Sequence, residues 1–195
     1  MRVFGIDPGS DRTGYGCIDS DGRRHQLVGC GAVRAGDGAT FPDQLSIIYR
    51  ELRALLEEHQ PECVAIENIF YAMNARSALK LGHARGVAML AATESGVMVV
   101  EYTPAEIKRA VVGYGRAEKH QVQQMIKLLL GLRVAPSPHD AADALAVAIC
   151  HVHLVGTWDR RSGITSATAR SSSPAPRSAA APKPRSWRGY RPPAE

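Results

Sequence analysis

Two short apolar runs, Val3-Phe4-Gly5-Ile6 and Cys63-Val64-Ala65-Ile66, each end in a carboxylate, Asp7 and Glu67. The second run follows Pro61 and is too short for a helix, so it predicts a buried strand, most naturally a parallel one. An acid at the end of a buried strand is costly to leave without a partner. Such ends call for an α/β layout in which polar groups gather where the strands finish.

The rest of the chain supplies that layout. Segments 2–7, 13–19 and 24–33 read as strands, separated by Pro8-Gly9-Ser10 and by Asp21-Gly22, a hairpin turn signal. Leu45, Ile48, Leu52, Leu55 and Leu56 follow helical spacing behind Thr40, with Pro42 in the first turn and Asp43 three residues after Thr40, so this helix should cover one face of the sheet. After strand 63–66 come a long helix over about 75–93 and a strand over 97–102. Helices are then expected at 104–112, with Thr103 as N-cap, at 118–130, closed by Gly131, and at about 137–153. The order predicts a mixed α/β sheet, an antiparallel group extended by parallel strands. Four scattered cysteines, Cys17, Cys30, Cys63 and Cys150, show no C-x-x-C spacing and read as buried thiols.

Apolar residues make up 45% of the chain, enough for one domain with a core, placed at 1–155. From residue 156 the sequence turns to Ser, Ala, Pro and Arg and is expected to form a disordered basic tail, 156–195. The net charge of +5 belongs to that tail. Residues 157–195 carry eight basic side chains against Asp159 and Glu195, a net +6 that leaves −1 for the body. Any nucleic-acid face on the body must therefore be a local patch. Trp187 and Tyr190 among the tail arginines are candidates for stacking on bases. No apolar run is long enough to span a bilayer and the N-terminus lacks a signal-like region, so the expected location is cytoplasmic.

Asp140 and Asp143 are three apart in H-D-A-A-D-A-L-A, so a helix projects both from one face, with alanines letting that face press on the sheet. With Asp7 and Glu67 they make four acids from two strand ends and one helix. Any one of them alone reads equally well as a turn residue or a solvated charge near a helix start. As a set of oxygen donors without Cys they suit hard cations, Mg²⁺ or Mn²⁺, and two such ions can clamp the attacking and leaving oxygens of a phosphoryl displacement.

Five segments carry a specific resemblance: G-I-D-P-G-S-x-x-T-G-Y-G (5–16), A-I-E-N-I-F (65–70), N-A-R-S-A-L-K-L-G-H-A-R-G-V-A (74–88), V-V-G-Y-G-R-A-E-K-H-Q-V (111–122) and D-A-A-D-A-L-A-V-A (140–148). In order and spacing they resemble the RuvC family of Holliday junction resolvases over about residues 1–154. The resemblance implies a ribonuclease H-like fold with a mixed five-stranded sheet flanked by helices. It also implies a homodimer and a two-ion Mg²⁺ site on Asp7, Glu67, Asp140 and Asp143. The implied activity is paired nicking of four-way junction DNA in recombination and repair, in concert with the RuvA and RuvB branch-migration proteins. His139 precedes Asp140, and some members of the family use His for the third ligand. A helix turns about 100° per residue, so both cannot face one ion, and Asp140 keeps the spacing to Asp143.

The same resemblance makes Lys108 and Lys119 functional lysines, of which Lys119 is expected to stabilise transition-state charge. It places Phe70, beside Tyr71, against an unstacked base. Asn74, Arg76, Lys80, Arg85 and Arg116 are further candidates for DNA contact, Arg116 standing where related sequences often have a small residue. Ala78, Gly82 and Gly86 recur every four residues and would let paired helices approach across a two-fold axis. Two other readings compete. G-I-D-P-G-S-x-x-T-G also resembles the phosphate loop of actin-like, sugar-kinase and Hsp70-type ATP-binding modules, which need far more chain. A junction-binding protein without catalysis would not need four acids.

Overall fold

Alternation along β1 (Arg2–Asp7) decides the layering. Val3, Phe4, Gly5 and Ile6 are all buried, although they point alternately to opposite sides. A strand apolar on both faces belongs in the middle of a sheet with helices on each side. The computed structural model of the protein describes residues 1–36, 38–68 and 74–162. In it β1 is the centre of a five-stranded sheet of order β3-β2-β1-β4-β5, with β2 at Arg12–Ser20, β3 at His25–Arg34, β4 at Cys63–Glu67 and β5 at Met98–Tyr102. The β1/β2 and β2/β3 pairs are antiparallel, while β1/β4 and β4/β5 are parallel.

Two helices cover one face. Helix α1 (Phe41–His59) contributes Ile48, Leu52 and Leu56, and α2 (Ala75–Glu94) contributes Ala84, Ala88, Ala91 and Ala92, packed on Phe4, Ile6, Val64 and Ile66. The Thr40 N-cap and the Pro42 first turn of α1 are as the sequence predicts. On the other face α5 (His139–Ser162) lays Leu145 and Ile149 over Val3, Ile18 and Ala65. There α3 (Pro104–Val112) and α4 (Lys119–Leu129) add Ile107, Val111, Val122 and Ile126. Each fully buried Leu or Ile in this layer stabilises the fold by about 1.5–3 kcal/mol.

Cys17, Cys63 and Cys150 are buried free thiols and Cys30 is half-buried. Among the described residues no helix is long and apolar enough to cross a membrane. The C-terminal boundary differs from the expected one. Helix α5 continues to Ser162, past residue 156, where composition places the start of the tail. A single Gly156 costs a helix only about 1 kcal/mol and no proline interrupts this stretch. Residues 163–195, with Trp187 and Tyr190, lie outside the described residues.

Candidate active site

Strand register brings the first two acids together. Ile6 pairs with Ile66 in the parallel β1/β4 ladder, so the next residues along, Asp7 and Glu67, end side by side. Both alternate with residues of the α5 face, Val3 and Gly5 in one strand and Ala65 in the other. The two carboxyls lie close enough to act on each other. Burial raises the Asp7 pKa well above the carboxylate range, helped by the charges of Glu67, Asp143 and Asp140. Burial raises Glu67 as well, partly offset by the Asp7 hydrogen bond and by Lys119 and Lys108.

Helix α5 brings the other two acids, and glycines determine how near it comes. Gly5 pairs with Gly16 and Asp7 with Gly14 across the β1/β2 ladder, so the three glycines share the face of Asp7. A Cβ at Gly5 would lie 2.8 Å from the Ala148 amide nitrogen. One at Gly14 would lie 2.6 Å from the Asp140 carbonyl carbon, and one at Gly16 would lie 2.6 Å from Leu145 Cγ. Side chains there would push α5 off the sheet. Their absence seats the first turns of α5, with Asp140 and Asp143, beside the ends of β1 and β4. Sequence reasoning credited the α5 alanines for this approach and missed the strand glycines.

The lysines come from α3 and α4. Glu118 caps α4 by donating its backbone N–H to Gln121 Oε1 at 2.8 Å, which makes Lys119 the first helical residue. A cation at a helix N-terminus is disfavoured by about 0.3–1 kcal/mol, so only the acids recommend that position. Lys119 Nζ lies 2.6 Å from Asp143 Oδ2. Partial burial lowers the Lys119 pKa, but the Asp143 hydrogen bond and the charges of Asp143, Asp7 and Asp140 outweigh it, and the net shift is upward. Lys108 and Lys119, with Glu67, Asp143, Ile107 and Val122, line a cleft of ≈ 270 Å³.

The other predicted residues divide. His139 is exposed and its Nδ1 accepts from Gln123 Nε2 at 2.6 Å, while Asp140 acts on Asp7. Arg116 is exposed between α3 and α4. Asn74 caps α2, its side chain accepting from the Ser77 N–H at 2.9 Å, and Arg76 is exposed in the first turn. Lys80 lies over the Phe41 ring, 5.4 Å from its centroid. Arg85 is not brought to the cleft: it is on the opposite face of the sheet, paired with Glu101 of β5. Phe70 and Tyr71 lie outside the described residues.

Among the described residues no three His, Cys, Asp or Glu side chains already form a ligand set, and Lys119 engages Asp143. The donor chemistry nevertheless fits a hard divalent cation. Four oxygen-bearing acids converge, and the raised pKa values of Asp7 and Glu67 reflect unfavourable anionic charge that such an ion would relieve.

A mixed five-stranded sheet with helices on both faces, and acids gathered where its central parallel strands end, defines a ribonuclease H-like protein. A profile described as Crossover junction endodeoxyribonuclease RuvC matches residues 3–151. Crossover junction endodeoxyribonuclease RuvC of Koribacter versatilis (strain Ellin345) is 54% identical over 82% of this chain and 97% of its own. The protein of the same description from Pelotomaculum thermopropionicum (strain DSM 13744 / JCM 10971 / SI) is 49% identical over 83% and 98%. Among solved structures, T. thermophilus RuvC in complex with Holliday junction substrate superposes with a TM-score of 0.77 at 34% identity, covering 81% of this chain and 96% of that one. The chain belongs to the RuvC family. It is a DNA endonuclease, a hydrolase, and nucleases of this family depend on divalent metal ions.

Proposed function

We propose that this protein resolves Holliday junctions by hydrolysing one phosphodiester in each of two symmetric strands, with Asp7, Glu67, Asp140 and Asp143 holding two Mg²⁺ ions, replaceable by Mn²⁺. The observation that carries this reading is a cleft of a RuvC-family chain lined by Glu67, Asp143, Lys108 and Lys119, with Asp7 beside Glu67 and within the field of Asp140 and Asp143. The bound ions would supply Lewis-acid charge and an activated water for in-line displacement. As a ligand Asp7 would be ionised, its raised pKa offset by the charge of the ion, with its proton released to solvent. Lys119 leaves Asp143 for the phosphate, and with Lys108 it stabilises the negative charge that grows on the phosphoryl oxygens. Arg76, Lys80, Asn74 and Arg116 hold DNA backbone, and Phe70 with Tyr71 contacts bases at the junction centre. Arg85, on the same helix as Arg76 and Lys80, is paired with Glu101 and would have to leave it to reach a phosphate.

A four-way junction needs two cuts, and a two-fold dimer supplies two sites. Helix α2 offers the surface. Leu79 and Leu90 are 64% and 50% exposed, and a Cβ at Gly82 or Gly86 would meet nothing within 4 Å. A second copy of α2 fits that open apolar groove. The dimer acts in the cytoplasm with RuvA and RuvB.

The test is a synthetic four-way junction incubated with the protein, with MgCl₂ or with EDTA. Paired symmetric nicks that require the metal, and that vanish in Asp7→Asn, Glu67→Gln, Asp140→Asn and Asp143→Asn while the junction stays bound, are the expected result. Binding without cleavage in any divalent salt would make this a junction-binding module.

A further inference from the structure

Far from the acids, two histidines meet nitrogen to nitrogen. His25 Nε2 and His153 Nε2 are 3.1 Å apart, with ring centroids 5.1 Å apart and planes inclined by 54°. His153 is ten residues beyond Asp143 on α5, about 15 Å along the helix, and His25 opens β3.

The outer nitrogen of each ring is anchored. His153 Nδ1 donates to the Ala110 carbonyl of α3 at 2.9 Å, one of the last-turn carbonyls that the helix leaves without an internal partner. His25 Nδ1 is 2.8 Å from the hydroxyl of Ser20, a buried residue that also accepts from the Gly22 N–H at 3.0 Å. Helix capping explains the outer nitrogen of His153. It does not explain why both inner nitrogens face each other. Each ring is held through Nδ1, which leaves the two Nε2 atoms next to each other, and imidazoles held through one nitrogen bind transition metals through the other. At metal–nitrogen lengths of about 2.0–2.1 Å, nitrogens 3.1 Å apart subtend roughly 95–100° at the ion, within reach of tetrahedral and square-planar geometry.

We propose that His25 and His153 form a two-imidazole site for a borderline divalent transition ion of the Zn²⁺, Cu²⁺ and Ni²⁺ class. Without metal, one N–H···N hydrogen bond joins the rings. On binding, the His25 proton moves from Nε2 to Nδ1, where Ser20 Oγ accepts it, and the ion takes both Nε2 lone pairs. Burial and the neighbouring His153 lower the His25 pKa and so favour the neutral, ligating form. Among the described residues no third His, Cys, Asp or Glu completes the set, so water fills the remaining positions. His25 borders a surface depression whose walls carry acids, Asp19, Asp21 and Glu62, as well as Arg2 and Arg24. The bound ion would tie β3 to α5 and stabilise the fold by mass action.

Isothermal titration with ZnCl₂ tests this in the full chain carrying Asp7→Asn, in excess MgCl₂, so that the acid cluster does not compete. A single saturable site is expected, weakened at least tenfold by His25→Gln and by His153→Gln, with Zn²⁺ raising Tm only when both histidines are present. Because either substitution could disturb folding, the chain with both histidines intact is also followed by long-range ¹H–¹⁵N NMR. The Nε2 resonances of His25 and His153 should shift together, at one equivalent, ahead of the other five histidines. Zn²⁺ heats that persist unchanged in both variants, no saturable binding, or shifts confined to other histidines would each overturn the site.

Discussion

Lys119 Nζ sits 2.6 Å from Asp143 Oδ2, joining the first residue of α4 to the second turn of α5 inside the candidate site. The side chain is 59% exposed, so the pair contributes little to stability, and a surface ion pair of this kind is worth about 0–1 kcal/mol. Under the proposed function its value would lie in placing an ammonium where phosphoryl charge develops. Lys119→Ala should therefore leave Tm within a degree or two and lower kcat by about 10²-fold, with junction affinity changed severalfold at most. Single-turnover cleavage at saturating protein, set beside a binding titration, checks this. Equal losses in rate and affinity would reduce Lys119 to a phosphate anchor.

Asp7 predicts an opposition between stability and activity. Its pKa is raised first because burial disfavours the charged carboxylate, and then because of the charge of Glu67 beside it. Asp7→Asn removes the cost of taking up a proton on folding, which the raised pKa imposes at neutral pH, and keeps a hydrogen-bond donor toward Glu67. Cleavage should vanish while metal-free stability at neutral pH rises by roughly 1–3 kcal/mol. Denaturant unfolding in EDTA measures it, and a less stable variant would mean that the carboxyl holds the fold together by contacts other than the Glu67 pair.

Gly14 and Gly5 separate positioning from packing. Alanine at either place drives a methyl into the backbone of α5, which cannot move aside as a flexible side chain could. Overpacking of this kind costs about 1–3 kcal/mol. Gly14→Ala acts directly beneath Asp140, so kcat should fall by more than tenfold in protein that remains folded. Gly5→Ala, beneath Ala144 and Ala148, should cost more stability than rate. Circular dichroism melts together with cleavage rates distinguish the two, and a Gly14→Ala enzyme of normal rate would show that α5 need not sit so close.

These glycines mark where the sequence stopped being readable. Asp7 and Glu67 could be found because alternation and run length are local properties, and Asp140 with Asp143 because a helix period is local too. The caps at Thr40 and Thr103 were legible for the same reason. What a Cβ at Gly14 would strike is a carbonyl 126 residues away, and nothing in T-G-Y-G announces it. Arg85 looked like a phosphate ligand on a basic helix because its partner, Glu101, comes from a strand whose place in the sheet only topology decides. Gly156 looked like a boundary because composition changes there, whereas α5 carries on. His25 and His153, 128 residues apart, each read as an ordinary histidine.

The exposed face of α2 predicts the oligomer. Leu79→Glu and Leu90→Glu put charge into the apolar groove beside Gly82 and Gly86, where an isologous contact repeats each charge across the axis. Each variant should sediment as a monomer, keep its fold, and lose the coupling between the two nicks, leaving singly cut junctions. Unchanged sedimentation would move the interface to another face.

Residues 163–195 carry Arg170, Arg177, Lys183, Arg185, Arg188 and Arg191 against the single acid Glu195, a net charge of +5. With α5 running to Ser162, a chain ending there keeps Asp7, Glu67, Asp140 and Asp143, both lysines of the cleft and the whole helix. It should fold, dimerise and cut junctions in Mg²⁺. Its electrostatics should change, because each phosphate contact on duplex DNA contributes about 0.9 to the slope of log affinity against log salt. If the basic residues beyond Ser162 touch the junction arms, truncation lowers that slope by about 1 or more and weakens binding to linear duplex. Preference for the junction, set by the body of the protein, should hold or rise. Salt titrations of the full and shortened chains on junction and linear DNA decide it: an unaltered slope would remove the basic segment from DNA binding, and a shortened chain that binds but does not cut would show that this segment serves catalysis.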